Sequence, residues 1–327
     1  MTTPKTKPWL NPFPLPGWQR TPMRPLCPWR DTKHRDFYVR VDDGDFQYED
    51  FTQQMGDLSA LLAEGRLVLV TGESGCGKTA LVHRCADWVV REVQRQGEEG
   101  PLGPEARGLV LDLTGCLPDG PAQSIEDRAA HVCDELFGRL VDNGALRPQA
   151  VGQLSPDRDT PRRIYPRLDA ALVEGLVLVV LLPTPGELAA EVVQYARAFA
   201  GPKVLFMAES DLLDPDEVAD IVRQLEAWVP PLTLHVGALE EGDVRRFVED
   251  RLERHSMAGR YPRMSDEAIE FLSGMAKSIA QLQRTLHGTY ESRRGRGLSC
   301  DEGDVVTVDD IVAFFNDGSR NGLGKQR

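Results

Sequence analysis

Hydrophobic positions along this chain alternate between two periods. "RLVLVTG" at 66–72 is an unbroken apolar run of the buried-strand type. The segment behind it, "KTALVHRCADWVVREVQRQG", sets Leu81, Val82, Cys85, Trp88, Val89 and Val93 at helical spacing and stops at Gly97. A Gly/Glu/Pro loop leads to a second strand run, "GLVLDLTG" at 108–115. A helix is predicted next from Ser124, which makes an imperfect capping box with Asp127, to the stop at Asn143–Gly144. A long polar stretch containing Pro148, Pro156 and Pro161 precedes a short helix at about 162–174. Strand runs at 176–182, 203–208 and 232–236 then alternate with helices at 186–200 and 215–228. Five strands alternating with helices predict an α/β, three-layer domain with a mostly parallel five-stranded sheet, covering residues 37–238.

After Leu239 the pattern changes and no further strand is expected. "EEGDVRRFVEDRLERH", "SDEAIEFLSGMA", "SIAQLQRTLHGTYESRR" and "TVDDIVAFF" predict four helices, a small all-α domain at 239–315. Residues 316–327 are expected to be a flexible tail. Residues 1–36 are dense in Pro and Trp, so they hold neither a regular helix nor an interior strand. They are either a disordered tail or an extended arm whose Trp9, Trp18 and Trp29 dock on the core or on a neighbouring subunit.

Composition narrows the function classes. Hydrophobic content of 41% and charged content of 27% over 327 residues are those of an ordinary soluble globular protein. The net charge of −13 argues against nucleic-acid binding through bulk charge. Local clusters exist at Arg162–Arg163–Arg167 and Arg293–Arg294–Arg296, but runs of that size are usually solvated faces, and no helix-turn-helix module follows. DNA is therefore a possible partner that the sequence does not favour. Cys27, Cys76, Cys85, Cys116, Cys133 and Cys300 are scattered without CxxC or matching His spacing, which argues against a zinc site or a disulfide framework and fits a reducing cytoplasm. Lys5 and Lys7 precede no apolar h-region, and no apolar run approaches the roughly 18 residues of a membrane span. A soluble, cytoplasmic protein is expected.

The chemistry concentrates in "GESGCGKT", that is Gly72, Glu73, Ser74, Gly75, Cys76, Gly77, Lys78 and Thr79. It satisfies G-x-x-x-x-G-K-[ST] with a buried strand leading in and an amphipathic helix leading out. The glycines let the backbone curl so that successive N–H groups face a phosphate, with the positive end of the helix dipole behind them. Lys78 is expected to reach the β- and γ-phosphates, and Thr79 to offer its hydroxyl to Mg2+. Cys76 is more simply a small loop residue than a redox thiol, since no partner cysteine is nearby in sequence.

With this loop, the five-strand alternation and the helical coda, the chain resembles the AAA+ and related STAND-type P-loop ATPases, nearest to bacterial regulatory and loader-like members. The resemblance covers about residues 45–315. It implies ATP as ligand with ADP as product, Mg2+, and a homo-oligomer or a protein partner. It also implies a Walker B acid on the third strand, a sensor 1 residue on the fourth and a helical lid after the fifth. "AESD" would put Glu209 or Ser210 near the sensor 1 position, although Ser210 or Asp211 serves equally as a helix N-cap. Gln281 falls where the sensor 2 arginine would stand, and Arg284, one turn later, is the arginine on offer. Arg223, in the helix at 215–228, is the candidate finger for an adjacent subunit, with a solvated surface arginine as the plainer alternative. ATP is preferred to GTP through the resemblance, and no N-K-x-D motif is present.

One departure bears on activity. Where the family's third strand ends in an aspartate for Mg2+ and a glutamate for the attacking water, this chain has Pro183 and Thr184, neither of which acts as a base. Two other acids are candidates. Glu187 follows in the first turn of the next helix, a position an acid also occupies for the helix dipole alone. Asp112 sits inside a strand run, where a buried carboxylate is expensive unless paired, and it is the candidate metal-side acid. The expectation is a nucleotide-gated switch or scaffold with weak or partner-dependent hydrolysis. The alternative is a competent AAA+ ATPase, using Asp112 or Glu187, that loads or remodels a protein or DNA partner. An interaction protein that has lost nucleotide altogether is opposed by the intact Lys78 and Thr79.

Overall fold

The computed structural model describes residues 8–15, 24–100, 102–116, 124–184, 188–211, 215–225, 229–255, 259–299, 301 and 303–323. Strands β1 (Arg66–Thr71), β2 (Arg107–Asp112), β3 (Leu176–Leu181), β4 (Val204–Ser210) and β5 (Leu232–His235) form one sheet in the order β2–β3–β4–β1–β5. All four pairings are parallel. Successive side chains of a strand point to opposite faces, and the apolar runs split accordingly. Val68, Val70, Leu181, Leu205 and Met207 pack against α1 (Gly44–Met55), α2 (Ser59–Glu64) and α3 (Lys78–Glu99). Leu67, Leu69, Val180, Phe206 and Ala208 face the opposite core. That core is closed by α4 (Ile125–Asp142), α5 (Pro148–Leu154), α6 (Pro161–Ile164), α7 (Leu168–Ala171), α8 (Leu188–Gln194) and α9 (Pro215–Gln224). The three-layer α/β expectation holds.

Ser124 caps α4 as expected, accepting from the Asp127 amide at 3.2 Å. The helix expected at 162–174 is instead two single turns, α6 and α7, joined by a 3-10 turn at Tyr165–Arg167. Pro161 and Pro166 each fix the start of a turn, and no long run is free of them.

The helices expected to form a lid after Leu239, hereafter the lid, are α10 (Asp243–His255), α11 (Asp266–Met275), α12 (Ile279–Gly295) and α13 (Val308–Leu323). Phe247, Leu272, Leu286 and Tyr290 form its centre. Strands do not stop at Leu239: β6 (Arg263–Met264) and β7 (Val305–Val306) pair in parallel across the lid. Two residues are too few for an alternating pattern to register in sequence. The segment expected to be a tail from 316 is instead helical through Leu323, the end of α13. Asn and Gly are weak helix formers, but extending a helix that is already docked adds one hydrogen bond per residue fixed.

The described parts of the N-terminal segment, 8–15 and 24–36, pack on their own chain. Phe13 is fully buried in the lid core and meets Tyr290 edge-on, with ring centroids 5.1 Å apart. The Asn11 amide donates to the His287 carbonyl at 3.1 Å and to the Glu291 carboxylate at 3.0 Å. Arg294 stacks over Trp9 at 4.6 Å. Further on, Trp29 donates from its indole nitrogen to His83 Nδ1 at 3.0 Å, and Arg35 grips Asp87 through two bonds of 3.0 and 2.9 Å. Both partners lie on α3. Trp18 lies outside the described residues. Among the described residues, no helix is long and apolar enough to cross a membrane, and no group of three His, Cys, Asp or Glu side chains could hold a metal.

Candidate functional site

The phosphate loop joins β1 to α3 at the carboxyl end of the sheet, with Lys78 as the first helical residue. Gly72, Gly75 and Gly77 all have positive φ (140°, 84° and 101°), a backbone region that side-chain-bearing residues rarely enter. Lys78 Nζ donates to the Gly72 and Glu73 carbonyls at 2.9 and 2.8 Å, so the ammonium is held across the mouth of the loop. The Cys76 thiol is buried, and burial pushes it above the ordinary thiol range, which agrees with a packing role.

The Thr79 hydroxyl donates to both carboxylate oxygens of Glu209, at 3.0 and 2.8 Å. Glu209 is on β4, directly beside β1, where Val70 is its partner in the ladder. It is in phase with Leu205 and Met207, hence on the α3 face of the sheet, whereas Ser210 points to the other face. Burial raises the Glu209 carboxyl above the ordinary carboxylate range, while the Thr79 hydrogen bond and the Lys78 charge act in the opposite sense. The oxygens of Thr79 and Glu209 are hard donors of the kind magnesium takes alongside nucleotide phosphates, so the donor set fits that ion.

The other acids are differently placed. Asp112 ends β2, the edge strand, with β3 and β4 between it and β1. Its Oδ2 pairs with Arg30 at 2.8 Å, and its Oδ1 accepts from the Thr114 hydroxyl at 2.6 Å. That pairing explains how a carboxylate is tolerated in the strand, and it commits Asp112 away from Thr79. At the end of β3, Pro183 is buried and Thr184 exposed, and the Thr184 carbonyl accepts from Arg128 at 3.0 Å. Glu187 lies outside the described residues.

The lid closes against the loop. The Ala280 amide donates to the Gly75 carbonyl at 3.1 Å, and Ser278 caps the first turn of α12. A cavity of about 250 Å³ lies between loop, lid and N-terminal segment, with Val39, Val41, Leu81, Val236 and Ile279 in its apolar wall. The segment carrying that wall is clipped to α3: the Tyr38 hydroxyl donates to the Ala80 carbonyl at 2.9 Å, and Arg84 stacks on Tyr38 and Tyr48. Arg251 of α10 spans arm and lid, donating to the Phe37 carbonyl at 2.7 Å from a buried position that lowers its pKa to about 10.

Arg284 is not on this wall. Ile279 and Gln283, four residues apart, line the cavity, and Arg284 stands one residue, about 100°, further round the helix on an exposed side. Gln281 bonds to the Lys277 amide at the helix start and is also exposed. Arg223 is exposed on α9 and pairs with Asp220 one turn earlier. The structure thus brings together the loop, Lys78, Thr79 and Glu209; Asp112 is near enough for its charge to help raise the Glu209 carboxyl but is paired with Arg30, and Arg223 and Arg284 are exposed on other helices. The sequence pointed to Glu209 only as a candidate, with Ser210, for the sensor 1 position at the end of an apolar run, and only the strand order reveals that β4 is the neighbour of β1.

No protein-family model matches the sequence, and no curated protein matches it. Among solved structures, the chain is similar to the Aeropyrum pernix ORC1 protein, determined in complex with DNA. Identity is 14%, the match covers 88% of this chain and 67% of that one, and the TM-score is 0.52. The Aeropyrum pernix ORC2 protein, in ADPNP–ADP complexes, matches at 15% identity over 86% and 71% of the two chains, with a TM-score of 0.51. The chain has the fold of the AAA+ P-loop ATPases. At these identities the likeness concerns the fold.

Proposed function

We propose that this protein is an ATP-binding switch of AAA+ fold, in which nucleotide sits between the phosphate loop and the lid and is hydrolysed weakly or only with a partner. The hydrogen bond from Ala280 to Gly75 carries the reading. It ties the first turn of a lid helix to the loop that would wrap the phosphates, so a ligand that alters the loop alters the seat of the lid. The positive-φ glycines and Lys78 support phosphate binding, and the apolar wall beside them suits a flat base. Mg2+ would be held by Thr79 and the phosphates, and would supply charge neutralisation on the transferring group. Lys78 binds and orients the phosphates. Pro183 and Thr184 provide no general base at the end of β3, which supports slow turnover.

A second reading is a loader or remodeller of a protein or DNA partner, acting as an oligomer. The DNA in the ORC1 complex is what suggests it. The charge distribution gives DNA little support. Arg293 and Arg296 of the basic cluster at the end of α12 both pair with Asp310, and Arg294 lies over Trp9, so the cluster serves the lid's own packing.

The test is binding of a fluorescent ATP analogue together with steady-state phosphate release, using Lys78→Ala to measure contaminating ATPase. Binding that is lost in Lys78→Ala, with phosphate release near that control, is expected. Absence of binding would remove the nucleotide reading, and brisk turnover would remove the switch reading in favour of a competent ATPase.

A further inference from the structure

The β3 and β4 ladder places Leu181 opposite Met207. Counting two residues on along each strand sets Pro183 level with Glu209. The acid is therefore absent from the end of β3 and present at the same height one strand nearer to β1, where Val70 is its partner. Glu209 lies on the α3 face, in phase with Met207, whereas Pro183 follows the last residue of β3 and borders Val192 and Tyr195 of the opposite core. A side chain on the nearer strand must reach sideways less far to meet the first turn of α3. Glu209 does meet it, with the Thr79 hydroxyl donating to its two oxygens at 3.0 and 2.8 Å.

We infer that Glu209 is the acid that orients the water shell of the nucleotide-bound magnesium, a task moved from β3 to β4. This rests on the phosphate loop being a triphosphate site. A carboxylate accepting from the Thr79 hydroxyl turns the hydroxyl's lone pairs outward, toward a cation at the β- and γ-phosphates. Its remaining lone pairs accept from waters on that cation. Outer-shell carboxylates of this kind set metal affinity through the orientation of the inner ligands. Asp112 competes poorly for the role because Arg30 and Thr114 already occupy its two oxygens. The rearrangement separates two tasks that neighbouring residues of one strand otherwise share. The metal-side acid is supplied by β4, while the base position, Thr184, stays empty of an acid on β3. Metal-assisted nucleotide binding without efficient water activation follows from that separation.

The experiment uses the full chain with Mn2+ and the non-hydrolysable analogue AMPPNP, following free Mn2+ by electron paramagnetic resonance and analogue affinity with and without EDTA. Wild type is expected to bind AMPPNP in EDTA and more tightly with the metal. Glu209→Gln keeps the shape and an acceptor for Thr79, and it is expected to retain the EDTA affinity while losing about ten-fold or more in Mn2+ affinity. Glu209→Asp, which restores the charge on a shorter arm, is expected to recover part of it, and thermal melting checks that each variant is folded. Unchanged Mn2+ affinity in folded Glu209→Gln would overturn the inference, as would loss on Asp112→Asn alone. Failure of wild type to bind AMPPNP even in EDTA would overturn the triphosphate site itself, and this inference with it.

Discussion

The Ala280 amide and the Gly75 carbonyl are hydrogen-bonded at 3.1 Å, so the phosphate loop of one layer and the first turn of a lid helix share a backbone contact. Gly75 has φ of +84°, and a Cβ there would lie 2.9 Å from Ser278 Oγ and 3.2 Å from Ala280 Cβ. Gly75→Ala therefore strains the loop by about 1–3 kcal/mol and pushes α12 outward. We expect the variant to remain folded with a modestly lower Tm, and to lose nucleotide affinity more than ten-fold, roughly 1.4 kcal/mol. Nucleotide affinity equal to wild type would show that the lid contact is incidental to binding.

His83 lowers acid stability. Burial drops its pKa from 6.5 to about 4, so the folded protein keeps it neutral as the acceptor for Trp29. Between these values the unfolded chain takes up a proton that the folded chain refuses. Its contribution is therefore fully present above pH 6.5 and declines as the pH falls toward about 4. The slope for one proton is at most about 1.4 kcal/mol per pH unit. Urea midpoints from pH 7 to 4.5 should fall more steeply for wild type than for His83→Gln, with Trp29 fluorescence reporting release of the arm. Parallel curves would place the titrating group elsewhere.

Asp42 has the opposite sign. Burial raises its carboxyl from 3.8 to about 8, with the Asp243, Asp43 and Asp45 charges adding to the effect. The folded state holds a proton that the unfolded chain has lost, so stability is fully present below about 3.8 and declines as the pH rises to about 8. Asp42→Asn should flatten that decline, and its Tm advantage over wild type should grow from pH 5 to pH 8. A constant difference across the range would mean that Asp42 is ionised in the folded protein.

Phe13 is an anchor at long range. It is fully buried among lid residues more than 200 positions away in the chain, against Tyr290. Phe13→Ala should cost about 3–5 kcal/mol, chiefly in the lid. Hydrogen exchange would locate the loss. Faster exchange in α12 and α11 with β1, β3 and β4 unaffected is expected, whereas uniform acceleration would make the arm and the α/β core one cooperative unit.

What the sequence determined by itself is local. The strand–loop–helix passage through Gly72–Thr79 is contiguous, and its glycines, Lys78 and Thr79 act within one turn, so a linear pattern contains the whole device. Apolar runs and helical periods likewise identified the five sheet strands and three of the four lid helices to within a few residues, because their burial is continuous in the chain; α13 runs well past its expected end. The absence of an acid at Pro183–Thr184 was legible for the same reason. Tertiary structure decided which groups meet. The run of β4 is apolar on both faces, so it tells neither which face carries Glu209 nor that β4 lies beside β1, since strand order is set by crossover connections and by packing of whole layers. It likewise decided that Arg30 takes Asp112, that Gln283 rather than Arg284 lines the cavity, and that a Pro- and Trp-rich arm folds back onto its own lid. Each of these depends on a contact between residues distant in the chain. A periodicity reports only that a face is covered, and the identity of the covering partner is decided when the layers assemble.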